Sequence, residues 1–262
     1  MLVQVIAVNH GTTRYAELML RSLLQHHRDR SHLQVLLLDN DSPDIERLDL
    51  LRDERVRIEQ SGYGLDHQVT THGEILAAAV LANPDCDAYL FVDSDVCFRS
   101  DRSIDRMADE LAADAGLFGV QARWLLPDGT EFAPEPGPPD VVGIRESVRA
   151  PGATAWSDAI SYDVVRHGAD RIHPFCALIG NTTLFRRTVE TFGLSPAMVQ
   201  SERSGRWWDT LGLMTQVMRI NGLTWRRSEV GVTHFGNVSW DDRWAAEKAA
   251  DRDRLMTQYV AD

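Results

Sequence analysis

Lysine is nearly missing from this sequence. Lys248 is the only lysine among 27 basic side chains, set against 39 acidic ones. The formal net charge of −12 and a pI near 5.2 argue against a general grip on nucleic-acid phosphates, which needs a positive surface. Arginine forks do match phosphate oxygens, so an anionic small ligand stays in view. Cysteine is scarce as well. Cys86, Cys97 and Cys176 are odd in number and lack CxxC spacing, which argues against a disulfide frame or a zinc site and points to free thiols in a reducing compartment. No apolar run approaches the roughly 20 residues that span a bilayer, so no transmembrane segment is expected. The opening "MLVQVIAVNHG" is apolar only briefly before a turn; it reads as a first strand and not a signal peptide, and the expected location is the cytoplasm. Repeats and low-complexity tracts are also lacking.

What is present is an alternation of short apolar runs and amphipathic stretches over 262 residues, enough for one large α/β domain. "LVQVIAVN" (2–9) predicts a buried strand. Thr12 or Thr13 is placed to cap a helix through "RYAELMLRSLLQHH". "LQVLLLDNDSP" (33–43) and "RVRIEQS" (55–61) predict two more strands, "THGEILAAAVLAN" a helix, and "CDAYLFVDSDVCF" a single strand. The order β-α-β-β-α-β with near-continuous apolar strands predicts a mostly parallel sheet covered by helices. Further on, "SIDRMADELAAD" predicts a helix and "GLFGVQARWLL" a strand. The proline- and glycine-rich 127–156 predicts an irregular excursion or a mobile lid. "HPFCALIGNTTLFRRTVETFG" predicts a strand, a turn and a helix start, and "RWWDTLGLMTQVMRING" (206–222) a helix opening near Asp209 and closing at Gly222. "LTWRRSEVGVTHFGNVSW" is extended, and a terminal helix offers Trp244, Leu255, Met256 and Tyr259 for docking.

The stretch "AYLFVDSDVCF" (88–98) carries the chemistry. In an extended strand, residues i and i+2 share a face, so Asp93 and Asp95 are expected to point the same way from the end of a buried run. Two carboxylates so placed repel and lose hydration unless something positive sits with them. In an open parallel sheet, ligands collect beyond the carboxyl ends of the strands, where Asn9, Asp39, Asp93 and Asp95 all fall. Hard oxygen ligands of this kind suit Mg²⁺ or Mn²⁺ held together with substrate phosphates.

These residues resemble the GT-A glycosyltransferases, in particular the family 2 type that use nucleotide-diphospho-sugars. The resemblance rests on "VIAVNHG", "VLLLDNDS" and the DxD sequence "LFVDSDV", and it continues through "WWDTLGLMTQVMRING" and "VTHFGNVSW". It implies a GT-A domain over 1–262, with about 1–100 binding a nucleotide-sugar donor and about 101–262 an acceptor (small molecule, oligosaccharide or protein). It implies that Asn9 lies beside the nucleotide, that Asp39 bonds the base or ribose, and that Asp93 faces the ribose or sugar. Asp95 would ligate the metal, and His234 would complete its shell or contact the diphosphate. Asp209 would be the catalytic base of an inverting transfer, with Trp208 standing where the family usually carries a glutamate. His72 would approach the diphosphate.

Plainer readings stand beside these. Asp39 also suits an Asx turn in "DNDSP", Asp209 a helix N-cap, and His234 simple packing beside Phe235. Trp156, Trp207, Trp208 and Trp240 suit a core as well as a sugar face, and Arg186, Arg187, Arg226 and Arg227 suit a solvated surface. Two rival functions use the same kind of sheet. A nucleotidyltransferase would ordinarily open with a glycine-rich basic loop, where this chain has "VNHGTTRYAE". A non-catalytic nucleotide-sugar binder would keep Asp39 and the DxD pair without turnover.

Overall fold

β1 (Val3–Asn9) is buried at every position, so its side chains must serve two cores at once. Val3, Val5 and Ala7 face one, and Ile6 and Val8 the other. The first core is closed by α1 (Thr13–His26), whose Met19, Leu20 and Leu23 pack against Leu33, Val35 and Leu37 of β2 (Leu33–Asp39). A 3-10 turn, Ile45–Leu51, leads to β3 (Val56–Gln60). The second core is closed by α2 (Thr71–Ala82), with Ile75, Leu76 and Val80 against Leu36 and Leu38 of β2. β4 (Ala88–Asp93) then enters beside β1. This computed structural model describes residues 1–29, 31–63, 71–132, 140–148, 157–166, 171–195, 197–201, 205–208, 210–236, 238 and 244–259.

The remaining elements are β5 (Val96–Phe98), α3 (Ser103–Ala112), β6 (Leu117–Leu125), β7 (Asp140–Val148), β8 (Ser157–Arg166), β9 (Cys176–Gly180), α4 (Thr183–Phe192), β10 (Ala197–Ser201), β11 (Gly205–Trp208), α5 (Gly212–Ile220), β12 (Thr224–His234) and α6 (Ala245–Met256). The main sheet runs β3-β2-β1-β4-β9-β6-β12-β5. Neighbours are parallel from β3 to β4 and between β6 and β12, whereas β9 and β5 run antiparallel to their neighbours. α1 and α3 cover one face, and α2, α4 and α5 the other. Thr182 caps α4 by accepting from Phe185 N–H. This is the α/β architecture that the order of elements predicts.

Several local expectations are corrected. The run 86–98 is two strands: β4 pairs parallel to β1, the chain turns at Ser94 and Asp95, and β5 pairs antiparallel to β12. Thr12 precedes α1 but makes no side-chain cap, because its hydroxyl donates to Asn9 instead. The span 127–156 contains a regular strand, β7, joined in a second antiparallel sheet of order β11-β10-β7-β8. The rest of that span from 133 to 139 and from 149 to 156 lies outside the described residues, and the lid reading with it. The segment 206–222 divides into β11 and α5, which starts at Gly212 after Leu211 at φ 68°. Gly222, at φ 79°, follows its end as expected. α6 docks through Leu255, with Met256 and Tyr259 packed alongside, while Trp244 stays 60% exposed.

Candidate functional site

Parallel pairing brings the carboxyl ends of β1, β2 and β4 to one edge, with Asn9 in register with Asp39 and Val8 with Asp93. Asn9 and Asp39 are both 0% exposed. Asn9 Nδ2 donates to Asp39 Oδ1 (2.8 Å) and to Thr13 Oγ1 (3.2 Å), and the Ser42 N–H donates to Asp39 Oδ2 (2.9 Å). Thr12 Oγ1 donates to Asn9 Oδ1 (2.9 Å) and pairs with Ser94 Oγ (2.8 Å). The hydroxyl network therefore runs from the second strand to the middle of the DxD turn, and it gives Ser94 an inward partner at the point where the strand breaks. A buried charge with its acceptors engaged is costly to disturb. Asp39→Ala is expected to destabilise the chain by about 3 kcal/mol, read as a lower urea midpoint, because Asn9 and the Ser42 amide lose their acceptor.

Beyond the break, β5 pairs with the end of β12, with Val96 opposite His234, and Phe235 N–H donates to Asp95 C=O (3.1 Å). His234 therefore returns from the far half of the chain to stand between the two aspartates. Its Nε2 lies 3.2 Å from Asp95 Oδ1 and 3.3 Å from Asp93 Oδ2. Asp95 and His234 are 6% and 5% exposed. One ligand atom from each of the three lies within 4.8 Å of the others, so the group could hold a metal ion.

Burial alone would lower the His234 pKa, but the Asp95 charge and hydrogen bonds to both carboxylates more than reverse it, raising it to about 9. Burial alone would raise Asp93, but the hydrogen bond and charge of His234 hold it down to about 2. The imidazolium proton thus supplies the positive partner that the sequence demanded, and a divalent cation can take its place. Two carboxylate oxygens and one imidazole nitrogen fit Mn²⁺ or Mg²⁺ as a donor set. The Asp93 contribution to stability is complete above its ordinary value of 3.8 and is lost as pH falls towards 2; that of His234 is complete below 6.5 and is lost as pH rises through about 9. Without metal, urea stability is therefore expected to fall between pH 6.5 and 9. Over the same range the stabilisation by added Mn²⁺ is expected to grow, since less proton must be displaced. Urea midpoints at both pH values, with and without Mn²⁺, check this.

His72, in the first turn of α2, lies with Nε2 3.9 Å from Asp93 Oδ1. Burial lowers its pKa against the pull of both aspartates. His173, which the sequence reading did not single out, stands nearby, held neutral by burial and by the Arg171 charge. Its backbone N–H donates to Gln121 Oε1 (2.6 Å), and its ring packs on Phe175. No spacing pattern marks it, because its place depends on the antiparallel strand β9 that follows. Asp209 lies outside the described residues, as do Trp156 and Trp240. Its neighbour Thr210 is buried; Ser195 Oγ pairs with Thr210 Oγ1 (3.0 Å) and Arg171 donates to Thr210 C=O (2.7 Å). Ser195 packs into the space that a side chain at Gly73 would fill. The segment starting at Thr210 is thereby pinned to the start of α2, next to His72.

The sequence matches no protein-family model and no curated protein. Solved structures do resemble it. A mannosyltransferase from Pyrobaculum calidifontis, PcManGT, in complex with GDP-Man and Mn²⁺, superposes over 98% of this chain at a TM-score of 0.54 and 14% identity. The present chain covers 62% of that protein's length. S. aureus TarS in complex with UDP matches over 54% of this chain and 40% of its own, at 17% identity and a TM-score of 0.39; the complex with UDP-GlcNAc matches at 16% and 0.39. Among the described residues no helix is long and apolar enough to cross a membrane. A likeness at 14% identity speaks for the fold alone, and the chain has the GT-A type of fold that nucleotide-sugar glycosyltransferases share.

Proposed function

We propose that this chain is a metal-dependent glycosyltransferase that moves a sugar from a nucleoside-diphosphate donor to an acceptor hydroxyl with inversion. The observation that carries the reading is the meeting of Asp93, Asp95 and His234 at the carboxyl edge of a GT-A sheet. The mannosyltransferase of similar fold was solved with GDP-Man and Mn²⁺, which agrees with that choice of ligand class. Asp95 and His234, joined by Asp93, would hold Mn²⁺ or Mg²⁺. Such an ion neutralises the charge that develops on a departing diphosphate.

The chain's own residues do the rest. Asn9 and Asp39 fix the turn at 39–42 from beneath and so shape the wall beside the nucleotide. His72, neutral and at the edge of the trio, would donate to a diphosphate oxygen. Asp209 would take the proton from the acceptor hydroxyl as it attacks the anomeric carbon. Residues up to about 100 would supply the donor pocket and the later ones the acceptor side, with His234 the exception that reaches back across. The acceptor would be a small molecule, an oligosaccharide or a protein.

The test is a melting-temperature panel of UDP-, GDP-, dTDP- and CMP-linked sugars, each with and without Mn²⁺. At a hundredfold excess over Kd, a bound donor is expected to raise the melting temperature by about 5–10 °C. The rise should appear for one nucleotide, only with metal, and not in Asp95→Ala. Flat curves throughout would reject the donor class. Binding without any sugar transfer or hydrolysis would favour the non-catalytic binder.

A further inference from the structure

A metal-ligating histidine ordinarily has its ring oriented by a hydrogen bond from the nitrogen that does not touch the metal. Among the described residues, nothing gives His234 that support: Nε2 faces the two carboxylates, while the buried Nδ1 has no hydrogen-bond partner among them. Aromatic rings hold it instead. Phe175 stacks on one side, with centroids 4.9 Å apart and planes 6° from parallel, and the Trp124 indole closes in at 4.4 Å and 50°. Phe132 backs the indole at 4.4 Å.

Three strands bring these rings together. Trp124 lies on β6, in register with Val232 of β12, and Phe175 immediately precedes β9. The clamp is tied to both aspartates through the backbone: Asp93 N–H donates to Phe175 C=O (2.9 Å), and Phe235 N–H donates to Asp95 C=O (3.1 Å). A glycine makes room for it. A side chain at Gly236, which sits at φ 63°, would put its Cβ 3.1 Å from Cζ2 and Cη2 of Trp124.

We propose that Trp124 and Phe175 are positioning residues for metal binding, an aromatic vise that fixes the His234 imidazole in place of the usual hydrogen bond at Nδ1. The inference rests on the metal reading given above. The vise suits both states of the site. Aromatic faces attract the imidazolium when the proton is present, and they confine ring rotation equally when Nε2 is free to ligate. An indole lost from one side leaves the ring held against rotation by little besides its Nε2 contacts to the two carboxylates, which a bound ion would replace, so the penalty should fall on metal affinity.

The experiment titrates Mn²⁺ into the full chain and reads free Mn²⁺ by its solution EPR signal, together with the nitrogen modulation of the bound ion's spin echo. Wild type is expected to bind one ion, with imidazole modulation, and Asp95→Ala none. Trp124→Leu is expected to weaken binding about 10-fold or more, within the 10–100-fold range typical of lost orienting partners, and to reduce the modulation. Trp124→Phe, which restores a ring, should stay within about threefold of wild type by the same argument. If Trp124→Leu does not fold, Phe175→Leu asks the same question from the other face and the same loss is expected. Wild-type affinity in the folded leucine variant would overturn the vise while leaving the metal site standing, as would equal losses in Trp124→Phe and Trp124→Leu. Failure of wild type to bind Mn²⁺ at all would overturn the metal reading and the vise together.

Discussion

Asp95→Ala is expected to lower sugar transfer by about 10³-fold, equivalent to roughly 4 kcal/mol in the barrier, and to abolish any Mn²⁺-dependent rise in melting temperature. Asp95 is buried opposite His234 at 3.2 Å, and its charge is the leading influence that raises the His234 pKa against burial. Alanine removes one of the two anionic donors. With one carboxylate left, burial drives His234 towards its neutral form, and a dication facing a single carboxylate loses much of its attraction. The main chain at 95 need not move, because the bond from Phe235 N–H reaches the Asp95 carbonyl and not its side chain. Asp95→Asn is the control for shape: it keeps the volume and loses the charge, and it should lose metal binding nearly as completely. Initial rates at saturating Mn²⁺, paired with EPR titration, measure both effects. Transfer at the wild-type rate in either variant would sink the metal-dependent mechanism.

Three of the first four strands, β1, β2 and β4, were legible because strands buried on both faces announce themselves as unbroken apolar runs, and "LVQVIAVN", "LQVLLLD" and "AYLFV" are of that kind. The topology then predicts a common edge for Asn9, Asp39 and the DxD pair. The break between Asp93 and Asp95 was not legible, since it depends on a hydroxyl, Thr12, from a distant loop meeting Ser94. Nor was β11: "RWW" has no alternation to distinguish it from the start of a helix, and the entry into α5 turns on Leu211 in a left-handed conformation that few non-glycine residues adopt. β7 was hidden by the prolines around it. His234 was found by its motif, but the rings that hold it come from β6, the start of β9 and the loop after β6, at spacings that only the sheet order β9-β6-β12 makes adjacent.

Asp209→Asn is expected to lower kcat by about 10²–10⁴-fold, the usual worth of a general base, while donor binding and Mn²⁺ affinity stay at wild-type values. The expectation grows from its neighbour. Thr210 is held on three sides: by the Ser195 hydroxyl, by Arg171 at its carbonyl, and through Leu211 N–H donating to Leu194 C=O (2.9 Å). Ser195 in turn sits against Gly73, one residue from His72, which lies 3.9 Å from Asp93. Asp209 precedes this fixed residue in the sequence, and the proposed role is that of a base that meets the acceptor and not the metal. Asparagine keeps the size and removes the proton acceptor, so a binding role and a catalytic role separate cleanly. A binding residue would raise KM or flatten the donor's melting shift. A base would leave both and depress turnover, most strongly for acceptors with the least acidic hydroxyls. The anomeric configuration of the product, read by NMR of the first-formed glycoside, completes the test. Full activity in Asp209→Asn together with retained configuration would remove the base and the inverting mechanism at once, because a retaining transfer has no need of a proton acceptor at that position.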